Sequence, residues 1–185
     1  LLFITRYYLK NKSKVALTIL TKTLTSMAKG GIFDQLSGGF HRYSTDRFWL
    51  VPHFEKMLYD NALLTSIYVD AWRITKDPLY RRVAEQTINW ILTDMASPVG
   101  GFYSAQDAES EGKEGYYYTW TKEEIDRLVG SKSFNLLYGI TEEGNFEGRN
   151  ILHVAKEVEQ VAYELGLDAQ QVEKELLEAR QTLLK

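Results

Sequence analysis

The chain has 185 residues, of which 44% are hydrophobic and 25% are charged, and its formal net charge is −3. This composition indicates a folded domain or part of a larger one, and it gives no reason to expect a nucleic-acid partner. The chain has no cysteine, which excludes disulfides, thiolate metal ligands and cysteine nucleophiles. No apolar run approaches the roughly 20 residues of a membrane span. The first residues show no secretory pattern. A cytoplasmic location is expected.

Hydrophobic periodicity predicts helices along most of the chain. A glycine pair follows the second helix, and an Asp-Pro pair gives the fourth an N-cap and a proline at its first position. Thr121 and Glu124 form a capping-box pattern that predicts a short helix. The other predicted helices cover residues 1–10, 13–28, 52–74, 78–95, 155–165 and 168–184.

An aromatic segment interrupts this helical pattern between residues 102 and 120. Tyr116 to Trp120 has strong strand propensity. We expect it to pair with Phe102–Ser104 across an acidic turn. The sequence therefore predicts an all-α fold with a small β-hairpin insertion.

Charge is unevenly distributed along the chain. The first 29 residues contain no acid and six cations, Arg6, Lys10, Lys12, Lys14, Lys22 and Lys29. Either an acidic neighbour docks on this segment, or the cations lie on a solvated helix face.

Two loops resemble each other. Residues 38–46 and 100–107 both read Gly-Gly-Phe, then Tyr-Ser, then Asp, and each follows an amphipathic helix. Such similarity predicts a repeated helical hairpin, with both loops extended and at the same end of the helices. Stacked hairpins form a solenoid or a closed ring.

The chain resembles the YyaL and spermatogenesis-associated family of thioredoxin-domain-containing proteins in three segments: GGFHRYSTDRFWLVPHFEKMLYDNALL, GGFYSAQDAESEGKEGYYYTW and YGITEEGNFEGRNILH. The resemblance implies a partial (α/α)6 toroid, similar to six-hairpin glycosidases and sugar epimerases. It also implies that residues 1–185 are a fragment of that helical domain, without the N-terminal thioredoxin-like domain and the later hairpins. The sequence departs from the family pattern at Ser37 and Glu109, where glycine and aspartate are expected.

The predicted catalytic residues are His53, Asp60 and Asp107. The helical repeat places His53 and Asp60 on one face, where His53 acts as general acid or base and Asp60 orients it. Sugar hydrolysis instead uses two carboxylates, and Asp107 supplies one of them. We predict that His53, Glu55 and Asp60 are largely buried and hydrogen-bonded to the loop at 38–49. The alternative to catalysis is a structural network that fixes this loop to the helix.

Aromatic side chains near the two loops suit sugar binding, since their faces stack on sugar rings, although core packing is the alternative. The predicted substrate-binding residues are His41, Arg42, Tyr43, Trp49, Glu55, Tyr103 and Glu109.

The reaction class stays open at this stage. A His53–His41 pair favours an epimerase, whereas an Asp107–Asp60 pair in one cleft favours a hydrolase. A non-catalytic scaffold that supports a thioredoxin-like domain and binds a protein partner is the alternative of a different class. No HExxH, Walker or Rossmann pattern occurs, so no metal or cofactor is predicted. His53 and Glu55 would point apart on a helix, which also disfavours a metal site.

Overall fold

A computed structural model describes all residues, 1–185. It contains eight α-helices and four two-stranded antiparallel β-pairs, which confirms the predicted helix-rich class. The chain divides into two compact units, residues 1–33 with 37–108 and residues 34–36 with 109–185. None of the helices combines the length and apolar character needed to cross a membrane.

The first unit is built from two helical hairpins. Ser13 and Asp77 cap the second and fourth helices, as their side chains accept backbone N–H bonds from the first turn. The core includes Leu20, Leu24 and Tyr68. The elements are α1 (Leu2–Asn11), α2 (Lys14–Lys29), β1 (Tyr43–Ser44), β2 (Pro52–His53), β3 (Lys56–Met57), α3 (Leu58–Thr75), α4 (Pro78–Asp94) and β4 (Ala105–Gln106).

Helix α3 begins at Leu58, so the predicted start at Pro52 was wrong. Residues 52–57 are extended instead, because β2 pairs with β1 and β3 pairs with β4. Burial alternates along this segment: Pro52, Phe54 and Lys56 are buried, whereas the residues between them are partly exposed. That period of two belongs to a strand and not to a helix. The prediction that His53 and Asp60 share a helix face was therefore wrong.

The predicted repeat has a structural counterpart in the first unit. In both copies the two glycines have positive φ, 81° and 79° at Gly38-Gly39 and 99° and 76° at Gly100-Gly101. The phenylalanine that follows forms an isolated antiparallel bridge, Phe40 with Phe33 and Phe102 with Ala96. The same glycine-dependent turn is thus built twice.

Both copies of the repeat pair with the extended segment 52–57. In the first copy Tyr43 lies opposite His53, and in the second Ala105 lies opposite Met57. The two loops therefore lie at the same end of the helices, as the sequence predicted. Their surroundings differ, because Phe40 is fully buried and Phe102 is half exposed.

The second unit contains short helices and strands around its own core. A short hairpin lies within the predicted 102–120 insertion, but it is formed by β5 and β6 and not by the predicted strands. The helix α6 was not predicted, since seven residues are too few for periodicity to show. The elements are β5 (Glu109–Ser110), β6 (Lys113–Glu114), a 3-10 helix (Tyr116–Tyr118), β7 (Thr119–Trp120), α5 (Lys122–Leu128), α6 (Lys132–Tyr138), β8 (Asn150–Ile151), α7 (Val158–Leu165) and α8 (Ala169–Leu183).

The prediction of a strand over Tyr116–Trp120 was wrong for most of that segment. Gly115 adopts a φ of 73° and starts a 3-10 turn, and the Thr119 hydroxyl donates to the Gly115 carbonyl at 3.0 Å. Only β7 is extended, and it pairs with β8 rather than with Phe102–Ser104. A glycine in the left-handed region and a threonine that bonds backward overrode the strand propensity of the tyrosines.

Arg149 organises the polar side of the second unit. Its Nη2 donates to the Thr119 carbonyl at 2.6 Å and to Glu124 Oε2 at 2.8 Å. The guanidinium also lies 4.6 Å from the ring centroid of Tyr116. Glu124 closes the predicted capping box with Thr121, so one carboxylate links the start of α5 to the Arg149 loop.

Candidate functional site

The partly exposed side chains around the extended segment form one polar surface. We call Arg42, Tyr43, His53, Glu55 and Asp60 the outward cluster. The pairing of β1 with β2 puts Tyr43 opposite His53, and their rings stack with centroids 5.1 Å apart and planes at 26°. The Arg42 N–H donates to the Glu55 carbonyl at 2.8 Å, so backbone bonds fix the spacing of these side chains.

Glu55 is the centre of the outward cluster. Its Oε2 lies 2.8 Å from Arg42 Nη1 and 3.7 Å from His53 Nε2. The expectation that His53 and Glu55 point apart was wrong, because alternate residues of an extended chain share a face. The side chains of His53 and Glu55 keep 28% and 26% of their surface exposed, so they are largely but not completely buried. Glu55 does bond to the 38–49 loop as expected, through Arg42.

Asp60 lies in the first turn of α3 and has unusual electrostatics. Burial raises the pKa of Asp60; Arg42 opposes that shift and Glu55 adds to it. The hydrogen bond that Arg42 donates to Glu55 raises the pKa of Arg42, and the nearby Tyr59 adds to that shift. The site thus combines one guanidinium with two carboxylates, and Asp60 holds its proton more strongly than an ordinary aspartate.

Tyr59 belongs to this surface although the sequence analysis did not select it. It is half exposed and near enough to Arg42 to influence its charge. The same argument that selected Tyr43, an aromatic ring beside polar groups, could have found it. We add Tyr59 to the candidate site.

The opposite face of the segment is a buried polar network. Lys56 is fully buried, and its Nζ donates to the Gly38 carbonyl at 2.9 Å and lies 5.0 Å from the Trp90 ring centroid. His41 is 2% exposed, and its Nδ1 lies 2.8 Å from the Phe54 carbonyl oxygen. These bonds fix the glycine loop to the extended segment. Lys56 and His41 therefore belong to a structural network and not to an exposed ligand site.

The remaining predicted residues are divided between the two faces and the two units. Tyr103 is half exposed and precedes Ser104, whose carbonyl accepts the Leu58 N–H at 3.0 Å. Asp107 is exposed and follows Gln106, which pairs with Lys56. The second loop therefore brings both residues to the extended segment.

Two predicted residues do not join the outward cluster. Trp49 packs partly buried against the core, has a φ of 65°, and accepts the Ile32 N–H through its carbonyl at 3.1 Å. Glu109 lies on β5 in the second unit. No group of three or more His, Asp and Glu side chains is arranged to hold a metal ion.

The sequence matches curated proteins, although no protein-family model matches it. It is 41% identical to human spermatogenesis-associated protein 20 over 178 residues, which cover 81% of this chain and 23% of the human protein. The chain is related to spermatogenesis-associated protein 20. The mouse protein of that name is 40% identical over 81% of this chain and 22% of its own length. An uncharacterised Caenorhabditis elegans protein is 41% identical over 65% of this chain and 18% of its own length.

These matches confirm the resemblance to the spermatogenesis-associated proteins. The chain spans less than a quarter of the length of these relatives. Their names state neither a substrate nor a reaction. The activity of the whole protein therefore has to be proposed from the geometry of the outward cluster.

Proposed function

We propose that the outward cluster binds carbohydrate and acts on it. The observation that carries the proposal is the ion pair of Arg42 with Glu55, together with Asp60, which is near enough to influence the charge of both. Sugar hydrolysis requires one carboxyl group that donates a proton and one that stays ionised. In such enzymes, different environments shift the pKa values of the two acids apart, so that one is protonated while the other is ionised.

The two carboxylates suit different roles. Glu55 accepts a hydrogen bond from Arg42, which holds its carboxylate in place to act as base or nucleophile. Burial raises the pKa of Asp60, which makes it the better proton donor. His53, stacked on Tyr43 and facing Glu55, is positioned to bond a ligand hydroxyl or to move a proton.

Aromatic rings beside these acids support a sugar as the ligand. Tyr43 and Tyr59 are each half exposed. A tyrosine ring covers the apolar face of a sugar, while its hydroxyl bonds the rim. Tyr103, also half exposed, is held near the start of α3 by the neighbouring Ser104.

Among the reactions considered, hydrolysis is better supported than epimerisation. The imidazole of His41 is buried and lies against the Phe54 carbonyl oxygen, so a pair with His53 in one cleft is disfavoured. Asp107, next to the β3–β4 pair, offers a further carboxylate near the segment that carries Glu55. Carboxylates therefore supply most of the acid–base groups of this surface.

The family resemblance supports three broader proposals. We propose that the helical hairpins belong to an (α/α)6 toroid, that the longer protein also has a thioredoxin-like domain, and that it is cytoplasmic. A non-catalytic scaffold that binds a protein partner remains the alternative. The inward network favours that alternative, because Lys56 and His41 of the family motif serve folding.

A glycan array followed by titration calorimetry tests the proposal. We expect the wild-type chain to bind a defined set of sugars, and Glu55→Gln and Asp60→Asn to weaken binding about tenfold, which is ~1.4 kcal/mol each. Glu85→Gln is the matched control, because Glu85 is an exposed carboxylate paired with Arg81 on α4. Absence of sugar binding in the wild type, or equal losses in the control, would reject the carbohydrate site in favour of the scaffold.

A further inference from the structure

Helix α1 presents an aromatic and basic stripe on its outer face. Phe3, Arg6, Tyr7 and Lys10 follow the i, i+3, i+4, i+7 spacing that places residues on one side of a helix. All four are exposed, and Phe3 keeps 77% of its surface accessible. The rings of Phe3 and Tyr7 lie 6.2 Å apart. The stripe therefore offers two neighbouring aromatic rings, tilted by 32° to each other, together with two cations.

The segment that carries the stripe is strongly basic. Residues 1–33, which include α1 and α2, contain six cations and no carboxylate side chain. The whole chain has a net charge of −3, so this surface differs in sign from the rest of the molecule. Such a patch raises the local concentration of anionic partners.

A groove opens at the C-terminal end of α1, on the side of the helix that faces α3. A segment bound along the stripe would reach it by passing round the end of α1. The groove has a volume of about 420 Å³ and is lined by Tyr8, Leu9 and Lys12 of the α1 end and by Asp70, Arg73 and Ile74 of α3. Cavities of roughly 300–1,000 Å³ hold small ligands or large side chains.

The groove has an apolar wall and a cationic rim. Arg73 keeps 70% of its side chain exposed and lies 3.9 Å from Asp70, at the limit of an ion pair. Lys12 lies 5.5 Å from the Tyr8 ring centroid. Both cations can therefore turn toward a ligand with little loss.

We propose that the outer face of α1 and this groove form a docking site for an acidic polypeptide segment that carries large apolar side chains. Its carboxylates would pair with Arg6, Lys10 and Arg73, and an aromatic or aliphatic side chain would enter the groove. This is recognition of an amphipathic segment by a basic, aromatic surface. A bilayer fits less well, because cations interrupt the apolar stripe and the groove is concave.

The docking site is separate from the outward cluster. Asp60 lies in the first turn of α3, whereas Arg73 lies in the last turn. At 1.5 Å per residue the two positions are roughly 20 Å apart. Loss of sugar binding and loss of docking can therefore be tested independently.

Fluorescence anisotropy with a labelled random copolymer of glutamate and tyrosine tests the proposal. We expect it to bind about tenfold more tightly than polyglutamate of the same length, because tyrosine adds contacts with the rings and the groove. Arg6→Glu with Lys10→Glu should weaken copolymer binding at least about tenfold. Phe3→Ala with Tyr7→Ala should reduce it to the polyglutamate level. Arg73→Glu tests the groove without changing α1 and should also weaken binding.

The matched control is Lys132→Glu with Lys185→Glu, which makes the same charge change at exposed positions of the second unit. This control should bind the copolymer like the wild type. Equal weakening of the control would show general charge attraction and overturn the proposal. Binding to phosphatidylserine vesicles without copolymer binding would identify a membrane surface instead. Self-association in sedimentation that Arg6→Glu with Lys10→Glu abolishes, again without copolymer binding, would identify a second copy as the occupant.

Discussion

Asn61 binds the backbone of Phe40 through both ends of its side-chain amide. Its Oδ1 accepts the Phe40 N–H at 2.6 Å, and its Nδ2 donates to the Phe40 carbonyl at 2.9 Å. Both residues are fully buried. The amide thus forms the two backbone hydrogen bonds that a paired strand would give to Phe40. These bonds hold the first glycine loop against α3.

Replacement of Asn61 should therefore be strongly destabilising. In Asn61→Leu both polar groups of the Phe40 backbone would lose this partner, at about 1–3 kcal/mol for each buried group. Urea unfolding measures the loss. Asn89→Leu, at an exposed position of α4, is the control and should change stability by less than about 0.5 kcal/mol. A loss no larger than the control's would mean that this bond pair does not fix the loop.

The two glycine loops provide an internal comparison of steric constraint. An added Cβ at Gly39 would lie 2.7 Å from Trp90 ring atoms, whereas at Gly101 it would meet nothing within 4 Å. Their φ values are similar, 79° and 76°, so the backbone strain of alanine is about 1–2 kcal/mol at either position. Gly39→Ala should cost about 1–3 kcal/mol more than Gly101→Ala because of the clash. Thermal melts that rank the two variants equally would contradict this packing.

Asp46 and Asp60 should show opposite pH dependence. Burial raises the pKa of Asp46, but backbone N–H groups of Val51 and Phe48 lower it by more, so the net shift is downward. Its stabilisation is present above the unfolded pKa and is lost as pH falls through the folded pKa. Burial raises the pKa of Asp60, so its contribution is present below the unfolded pKa and is lost as pH rises through the folded pKa.

Melting temperatures of Asp46→Asn and Asp60→Asn between pH 3 and 7 measure this difference. The melting temperature of Asp46→Asn should lie furthest below that of the wild type at pH 7, and the two should converge at pH 3. The melting temperature of Asp60→Asn, relative to that of the wild type, should be highest at pH 7. Parallel pH curves for the two variants would mean that these carboxylates do not have the environments described.

Arg149 should not be replaceable by lysine. Lysine keeps the charge but cannot reach Thr119 and Glu124 with the same planar group while covering the Tyr116 ring. We expect Arg149→Lys to destabilise the chain by about 1–3 kcal/mol in chemical unfolding. Arg127→Lys, at an exposed position of α5, should be neutral. Loss of stability in both variants would point to a general effect of arginine content.

Local signals in the sequence predicted most helices. Ser13 and Asp77 are the N-caps of α2 and α4, close to the predicted helix starts. Thr121 forms the predicted capping box of α5. The failure at Pro52 has a physical cause, since proline suits both a first helical turn and an extended chain. The choice was made by pairing with Tyr43–Ser44 and Ala105–Gln106, which are remote in the sequence.

The same long-range pairing decided the candidate site. Glu55 meets Arg42 only because the chain folds back between them, and the sequence analysis placed the two as separate ligand contacts. The burial of Lys56 was also not predicted. The segment was expected to be a helix, and the side-chain period of a helix differs from the period of two in a strand. Residue types identified the surface, but register decided which side chains face solvent.

The alternation along residues 52–57 makes the length of this segment more critical than its exact composition. Substitution at a partly exposed position leaves its neighbours in place. Deletion of one residue would instead exchange the two faces, sending the charge of Glu55 toward the core and Phe54 toward water. We therefore expect related sequences to keep the number of residues between the two β-pairs unchanged.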